Sequence, residues 1–421
     1  MRKQHLFFYN VSSAKENVSS AKDDVTSSTL FVTYALMLYI VINYLCAEFY
    51  QKRNMKLKIN YFIFAYVLSQ LCSCSGNEQT NIECKTSLQV DLQNVQKEKL
   101  ASSFVSDIEV VQLELPEPYF FGVVHRVLFG GSSIFVIDEK QSTVFRFDKN
   151  GTFICKIGTK GEGPGEYIHI TDCFIDDKNV YLCDQDVRSI HIYSYDGTYI
   201  RTITSPFNLV YDDIEALPNG DFFCHYVTSN KNNAKFWIMG KNGECKQVLL
   251  KHDNIYPYSN TQWSTITKTA IDTLWIHDPI HEIVYSYDSK NDNLTAEIAL
   301  NSNLTRLDSF GGIKILPPEE QNYSPCLFIL NSSHSIFSLW ASADWRLTYS
   351  LYDKSSMQNV AFEKIVMDIQ DYPHFPLVVS SNKPNALVSL MTDETPVENF
   401  PEQYRSKISE RTALLYIINL K

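Results

Sequence analysis

Residues 132–158 read SSIFVIDEKQSTVFRFDKNGTFICKIG, and residues 178–204 read KNVYLCDQDVRSIHIYSYDGTYIRTIT. Side by side, each holds an apolar strand ending in aspartate (Asp138, Asp184), a second alternating strand, an Asn-Gly or Asp-Gly pair, and a third strand. Alternation with period two marks a strand, and an Asn-Gly or Asp-Gly pair between two strands marks a hairpin, here expected as a type I′ turn. The glycines of those pairs, Gly151 and Gly197, recur with Gly243 at a constant interval of 46 residues. A period in the forties predicts a β-propeller or another β-repeat array.

Looser copies extend outward. The third covers residues 220–250, the fourth 272–300 with a longer last turn, and the fifth 334–366. A degenerate sixth offers three apolar runs, at 375–381, 386–392 and 413–420. Between the last two, residues 397–411 form the only persuasive helical stretch, with Pro401 suited to a first turn. The last unit is short of a strand, while the alternating run VSDIEVVQLEL at 105–115 has no unit of its own. Adding that run as the outermost strand of the last blade closes the ring and removes two sheet edges. The expected fold is therefore all-β, a six-bladed β-propeller over residues 101–421, closed by an N-terminal strand added to the last blade.

Composition agrees with this fold. The 421 residues are 44% hydrophobic and include 25 Tyr and 25 Phe, a supply that favours sheet. Thirty-seven basic residues stand against 48 acidic ones, giving a net charge of −11 with no basic block, so nucleic acid is not expected as a partner.

The N-terminus gives an address. Residues 30–50 (LFVTYALMLYIVINYLCAEFY) are long enough to span a bilayer. From Met55 the chain reads MKLKINYFIFAYVLSQLCSCSG: two lysines, a short apolar region, then small residues, the order of a secretory leader. Its Leu71-Cys72-Ser73-Cys74 ending resembles a bacterial lipobox, with Cys74 as the lipid-bearing thiol. The domain reading is then 1–54, an upstream extension or extra membrane segment; 55–74, a lipoprotein signal peptide; 75–100, a polar flexible tether; and 101–421, the propeller. Seven cysteines remain beyond the leader, an odd number without a CxxC pair. They suggest neither a zinc site nor a complete disulfide framework, and are expected as small buried hydrophobes, although a bridge remains open in an oxidising compartment.

The segment KIGTKGEGPGEY at 156–167 joins the first unit to the second. Together with the lipobox, DIEVVQLEL, FDKNG, YDGTYIRTI and the C-terminal YIINLK, it resembles the six-bladed β-propeller lipoproteins of Bacteroidetes, relatives of the NHL-repeat propellers. The resemblance implies the fold and a cell-envelope location. An outer-membrane lipoprotein, periplasmic or surface facing and monomeric, is the expectation, and no settled activity comes with it.

Several groups compete as sites. Gly161, Gly163, Pro164, Gly165, Glu166 and Tyr167 form a loop expected as a blade crossing with Tyr167 packed beneath, and as a possible recognition loop. It is not a phosphate loop, because a strand follows, Pro164 lacks an amide donor, and two glutamates repel phosphate. His277, Asp278 and His281 have metal-type chemistry but lie at a strand-to-turn with Pro279, and Asp278 aligns with Asp138 and Asp184 as a repeated turn-capping carboxylate. Asp172, Asp176, Asp177, Asp184 and Asp186 could meet a cation near the channel, although turns favour Asp anyway. Trp263, Trp275, Trp340 and Trp345 are candidates for sugar stacking or for packing between blades. No nucleophile elbow occurs. No catalytic, cofactor or metal residue is assigned. The expected function is a non-enzymatic binding or scaffold protein for a glycan, peptide or protein partner, held at the membrane by its lipid. The alternative is a metal-dependent hydrolase or lyase with its site in the propeller channel.

Overall fold

The computed structural model describes residues 83–184, 188–204, 211–227, 234–252, 264–303, 326–341, 346–369 and 372–421. Residues 1–54, the leader with Cys74, and Asp186, Trp263 and Trp345 lie outside the described residues.

Three strands precede the first blade: β1 (Thr86–Val90), β2 (Gln96–Leu100) and β3 (Val105–Glu114). Blade one comprises β4 (Val124–Gly130), β5 (Ser133–Asp138), β6 (Thr143–Asp148) and β7 (Phe153–Ile157). Blade two comprises β8 (Asp172–Ile175), β9 (Asn179–Asp184), β10 (Ser189–Ser194) and β11 (Tyr199–Thr204). Blade three comprises β12 (Asp213–Ala216), β13 (Phe222–His225), β14 (Ala234–Met239) and β15 (Cys245–Lys251). Blade four comprises β16 (Ile266–Ala270), β17 (Thr273–Asp278), β18 (Ile283–Asp288) and β19 (Asn293–Ser302). Blade five comprises β20 (Cys326–Asn331), β21 (Ser335–Ala341), β22 (Leu347–Asp353) and β23 (Gln358–Val366). Blade six has β24 (Ser380–Ser381), β25 (Ala386–Met391) and β26 (Thr412–Leu420).

The ring closes as the unpaired early strand requires. β3 runs antiparallel to β26, from Glu114 opposite Thr412 to Val105 opposite Leu420, and so is the outer strand of blade six. A second stitch lies at the inner edge. Val379 bridges Val388 of blade six, while Ser380 and Ser381 pair in parallel with Arg126 and Val127 of blade one.

Apolar side chains collect in six clusters, one between each pair of neighbouring blades. Phe135 and Ile137 of blade one, for example, pack on Cys173 and Leu182 of blade two. A central strand therefore buries both faces, and β5, β14 and β21 are buried along their whole length. That is why their sequences run nearly uniformly apolar instead of alternating.

The glycine repeat has a different cause from the expected type I′ turn. Gly151, Gly197 and Gly243 have φ of +89°, +84° and +93°, but Asn150, Asp196 and Asn242 are not in the left-handed region. Gly151 N–H donates to Asp148 C=O at 3.1 Å and Asp148 N–H to Thr152 C=O at 2.9 Å. This is a three-residue loop, a type I turn closed by a left-handed glycine bulge. The Asp148 carboxylate favours it by accepting the amides of Asn150 and Thr152. Close packing supplies a second reason for glycine. A Cβ on Gly151 would lie 2.0 Å from the Gln112 carbonyl oxygen, on Gly243 2.2 Å from that of Thr204, and on Gly197 3.1 Å from that of Lys156. Each turn thus rests on the outer strand of the preceding blade. Gly151 meets β3 where Gly197 meets β7, an independent sign that β3 completes blade six.

Two further expectations need correction. Within the presumed tether, β1 pairs in parallel with β19 and β2 with β23. The outer edges of blades four and five offer unpaired backbone groups, and strand addition satisfies them without needing apolar side chains. Leu88 and Val90 are nonetheless buried in the cluster between those blades. The helix expected at 397–411 shrinks to a 3₁₀ turn at Val397–Asn399 and one α-helical turn, α1 (Glu402–Arg405). Pro401 separates the two, and neither N-cap residue supplies a side-chain hydrogen bond.

Candidate functional site

Crossings between blades and the turns joining second to third strands lie on one face, because successive strands alternate in direction. The first strands begin at this face, and residues at or next to their starts surround the mouth of the channel. In ring order these are Arg126, Asp172, Asp213, Thr265, Cys326 and Ser380.

Half of this ring is charged. Arg126 is buried and forms ion pairs with Asp172 and, at 3.7 Å, with Asp213. Its guanidinium also donates to Ser264 Oγ at 3.0 Å, and Ser264 N–H donates to Ser380 Oγ at 2.6 Å. Asp213 accepts the amides of Thr265 and Ile266, and the Ser264 hydroxyl at 2.5 Å. Glu215 is buried nearby on the same strand as Asp213. Burial opposes the charge on Arg126, but Asp172, Asp213 and Glu215 outweigh it and hold the guanidinium protonated. One cation does not fully serve three acids. Burial pushes Asp172 and Glu215 up to about 7, although Arg126 pulls both down.

The other half is mostly neutral. The residue paired with, or hydrogen-bonded to, each channel residue is Ile137 in blade one, Cys183 in two, His225 in three and His277 in four. His225 Nδ1 lies 2.7 Å from Thr265 Oγ1, and burial pushes its pKa down to about 3, so it is neutral. His277 Nε2 lies 3.5 Å from Glu282 Oε2, and Glu282 Oε1 accepts the Cys326 amide at 3.0 Å. A water-sized cavity beside them is lined by Thr265, Thr267, Trp275, His277, Ile329 and Asn331 among others.

The three turn aspartates recur in structure as in sequence. Asp138 accepts the amides of Gly122 at 2.6 Å and Gln141 at 2.9 Å. Asp184 accepts those of Ile168 at 2.6 Å and His169. Asp278 accepts those of Ile280 and His281, and in addition pairs with Lys235 Nζ at 2.7 Å and His281 Nδ1 at 2.8 Å. Burial would raise Asp278, but Lys235 and His281 overcome it and hold the carboxyl well below the usual range. Four residues beyond each aspartate the backbone is left-handed, at Ser142, Arg188 and Glu282. Two of these side chains latch the next blade: Ser142 Oγ accepts the amide of Ile170, and Glu282 that of Cys326.

His277 and His281 consequently face different partners and share no site. Of the described members of the acidic set, Asp172 alone joins the channel cluster. Asp176 caps its own turn through Lys178, Asn179 and the Tyr181 hydroxyl. Trp340 is fully buried, and Trp275 lines the small cavity. All seven cysteines from Cys84 to Cys326 are free; four are buried, and Cys245 is exposed.

The glycine loop is a rigid crossing. Gly161 N–H donates to Tyr167 C=O, Tyr167 N–H to Thr159 C=O, and Gly163 N–H to Glu166 Oε2 at 2.8 Å. Tyr193 Oη donates to the Gly165 carbonyl at 2.5 Å, and Tyr167 is buried beneath the loop between blades one and two. Gly165 has φ +77° and sits so close to the Tyr199 ring that a Cβ would approach it at 2.6 Å. Sequence reasoning missed Arg126, Asp213, Glu215, Glu282 and Cys326. Only the interval of 46 residues between Arg126 and Asp172 hinted that any of these share a ring position.

Fold and site together define a six-bladed β-propeller whose blades are linked at the channel mouth by their own polar side chains. The chain belongs to the family described as domain of unknown function DUF4934, whose model matches residues 86–418. No curated protein matches the sequence. Among solved structures, the chain is similar to an exported-protein candidate of Bacteroides fragilis, with 14% identity and a TM-score of 0.63 over 80% of this chain and 100% of that one. It is also similar to a DUF4221 family member from Bacteroides vulgatus, with 11% identity and a TM-score of 0.50 over 76% of this chain and 98% of that one.

Proposed function

We propose that this chain is a lipid-anchored, non-enzymatic binding or scaffold protein of the cell envelope. Its recognition surface is the face that carries the blade crossings, in the sector of blades six, one and two. The observation behind this reading is the distribution of exposed apolar side chains. Phe120 and Val123 lie in the crossing into blade one, Ile168 in that into blade two, Leu377 in that into blade six, and Val397 in the blade-six turn; all five are exposed. The sector is continuous: Phe121 N–H donates to Glu410 C=O at 2.7 Å, and Lys140 of blade one approaches Glu394 of blade six at 3.8 Å. The loop from Gly161 to Tyr167 borders it, held rigid by its own hydrogen bonds. Five of the eleven exposed large apolar residues among the described residues fall in this sector, a distribution that fits a peptide or protein partner better than a glycan, which needs more aromatic platforms. The channel favours binding over hydrolysis, since Asp172 and Asp213 are engaged with Arg126. The basic, apolar, small-residue leader with Cys74 supports the envelope location.

Site-specific photocrosslinking in intact cells tests the reading. A crosslinking amino acid at Phe120, Ile168 or Leu377 is expected to trap a discrete adduct, whereas one at Ile271 or Met357, exposed away from that face, is not. Equal adducts from both sets, or none from the first, overturn the proposed surface. A Cys74→Ala variant that remains membrane-bound and normally processed overturns the anchor.

A further inference from the structure

We propose that His277, Glu282 and Cys326 form a buried site for a zinc-class divalent transition ion that clamps blade four to blade five. One ligand atom from each lies within 4.8 Å of the other two, and all three residues are buried. Among the described residues His277 Nε2 has no hydrogen-bond partner, and its near neighbour is Glu282 Oε2 at 3.5 Å. Imidazole, carboxylate and thiolate together suit zinc and its neighbours, whereas calcium and magnesium prefer oxygen alone.

The repeat separates what the fold requires here from what it does not. The latch position beyond the turn aspartate needs one hydrogen-bond acceptor, and Ser142 shows that a hydroxyl is enough. Glu282 performs the same latch with Oε1 and leaves Oε2 directed to His277. The residue before the aspartate needs only to fill space, as Ile137 does in blade one. The latched residue is Ile170 after blade one and Cys326 after blade four. Three roles filled by Ile137, Ser142 and Ile170 at the junction of blades one and two thus fall to His277, Glu282 and Cys326 at the junction of blades four and five. They converge on one point, although Cys326 lies 44 residues beyond Glu282 in the chain.

Coordination displaces the thiol proton of Cys326 to solvent as the sulfur–metal bond forms, with imidazole and carboxylate as the remaining protein donors. The fourth position is left to water. The ion would lie between buried groups of two neighbouring blades. Its role is to fix the turn of blade four against the inner strand of blade five, which leaves the proposed non-enzymatic function intact.

The full chain is purified without chelator, and its metal content is measured by mass spectrometry. It is then stripped and reloaded with cobalt(II). The expected result is about one ion per chain, and a thiolate-to-cobalt charge-transfer band in the near ultraviolet. Cys326→Ser and His277→Gln should lower the content about tenfold or more, while Cys84→Ser leaves it unchanged. Absence of stoichiometric metal in the wild type after zinc reloading, or a cobalt spectrum without the thiolate band, overturns the site. Both readings need only the wild type, so they decide the matter even if a variant fails to fold. Metal retained by a folded Cys326→Ser also overturns it.

Discussion

Blades one to three and blades four and five solve the same problems differently. In the first group each outer hairpin closes on glycine and rests on a bare outer strand of the preceding blade. In the second, four residues separate the strands, and the left-handed position falls to Asp292 or Met357. Outer strands differ as well. Among the described residues those of blades two and three remain edges, lined by Arg201, Lys246 and Lys251, whereas those of blades four and five are covered by β1 and β2 respectively. Lysine and arginine on an edge discourage pairing with another chain; an added strand removes the edge. The channel follows the same division. Blades one to three contribute Arg126, Asp172 and Asp213, a charged cluster that holds itself together. Blades four and five contribute His277, Glu282 and Cys326, which could hold something else. A repeat sets the backbone plan, and departures from it show where a side chain has a task beyond that plan.

The largest expected effect tests the charged half. Replacing Arg126 with Met leaves Asp172, Asp213 and Glu215 without their shared cation. Loss of one partner of a buried ion pair costs about 3–5 kcal/mol. Urea denaturation at pH 8 should register that loss, and it should shrink at pH 5, where the acids can protonate. If Arg126→Met is as stable as the wild type at pH 8, the cluster is not what links the blades at the channel mouth.

Next come the turns. Gly151→Ala and Gly243→Ala meet a left-handed backbone, which costs roughly 1–2 kcal/mol, and in addition an opposing carbonyl oxygen within 2.2 Å. Gly197→Ala meets the same φ penalty but has 3.1 Å of clearance, so it should be the mildest of the three. Asp292→Gly and Met357→Gly, in the other group, should be nearly neutral, since relief of strain offsets added chain entropy. Thermal unfolding of all five variants sharpens the contrast, and a Gly197→Ala as damaging as Gly243→Ala would remove the packing half of the explanation.

The covered edge predicts a smaller loss. Leu88 anchors β1 between blades four and five. Leu88→Ala should cost about 2 kcal/mol, the low end for a truncated core leucine, because a peripheral strand can relax. Hydrogen exchange should then speed up at residues 86–90 and along β19, and stay unchanged in β11. Uniform acceleration would mean that β1 is part of the common core and not an added cover.

The sequence disclosed what the repeat carries and concealed what it does not. Gly151, Gly197 and Gly243 announce the outer hairpins because only glycine meets both their φ and their clearance. Asp138, Asp184 and Asp278 announce themselves as caps for a similar reason. β1 and β2 were hidden because strand addition is backbone chemistry, and QKEKL can pair as well as a run of valines. Arg126, Asp172 and Asp213 lie on three different blades, and only closure of the ring brings them together. Glu282 and Cys326 are joined by a blade-to-blade contact that no local spacing records.

A last effect separates the buried acids from the buried histidines by pH. Asp172 and Glu215 have pKa values near 7 in the folded chain, against about 4 for such groups when unfolded. Between those values the folded state holds more protons, so these two acids stabilise the fold at low pH, and that contribution is lost as pH rises towards 7. Buried neutral histidines act in the opposite direction. His225 and His252 are pushed down by burial to about 3 and about 4, so their contribution is lost as pH falls below the ordinary histidine value. The wild-type stability curve mixes both signs, and the informative quantity is the difference between a variant and the wild type at each pH. Glu215→Gln removes one acid and none of the histidines. It should match the wild type near pH 4.5 and become progressively the more stable of the two up to pH 8. A difference that does not change with pH would mean that Glu215 is not held protonated by its surroundings, and the charged half of the channel would then need another source of compensation.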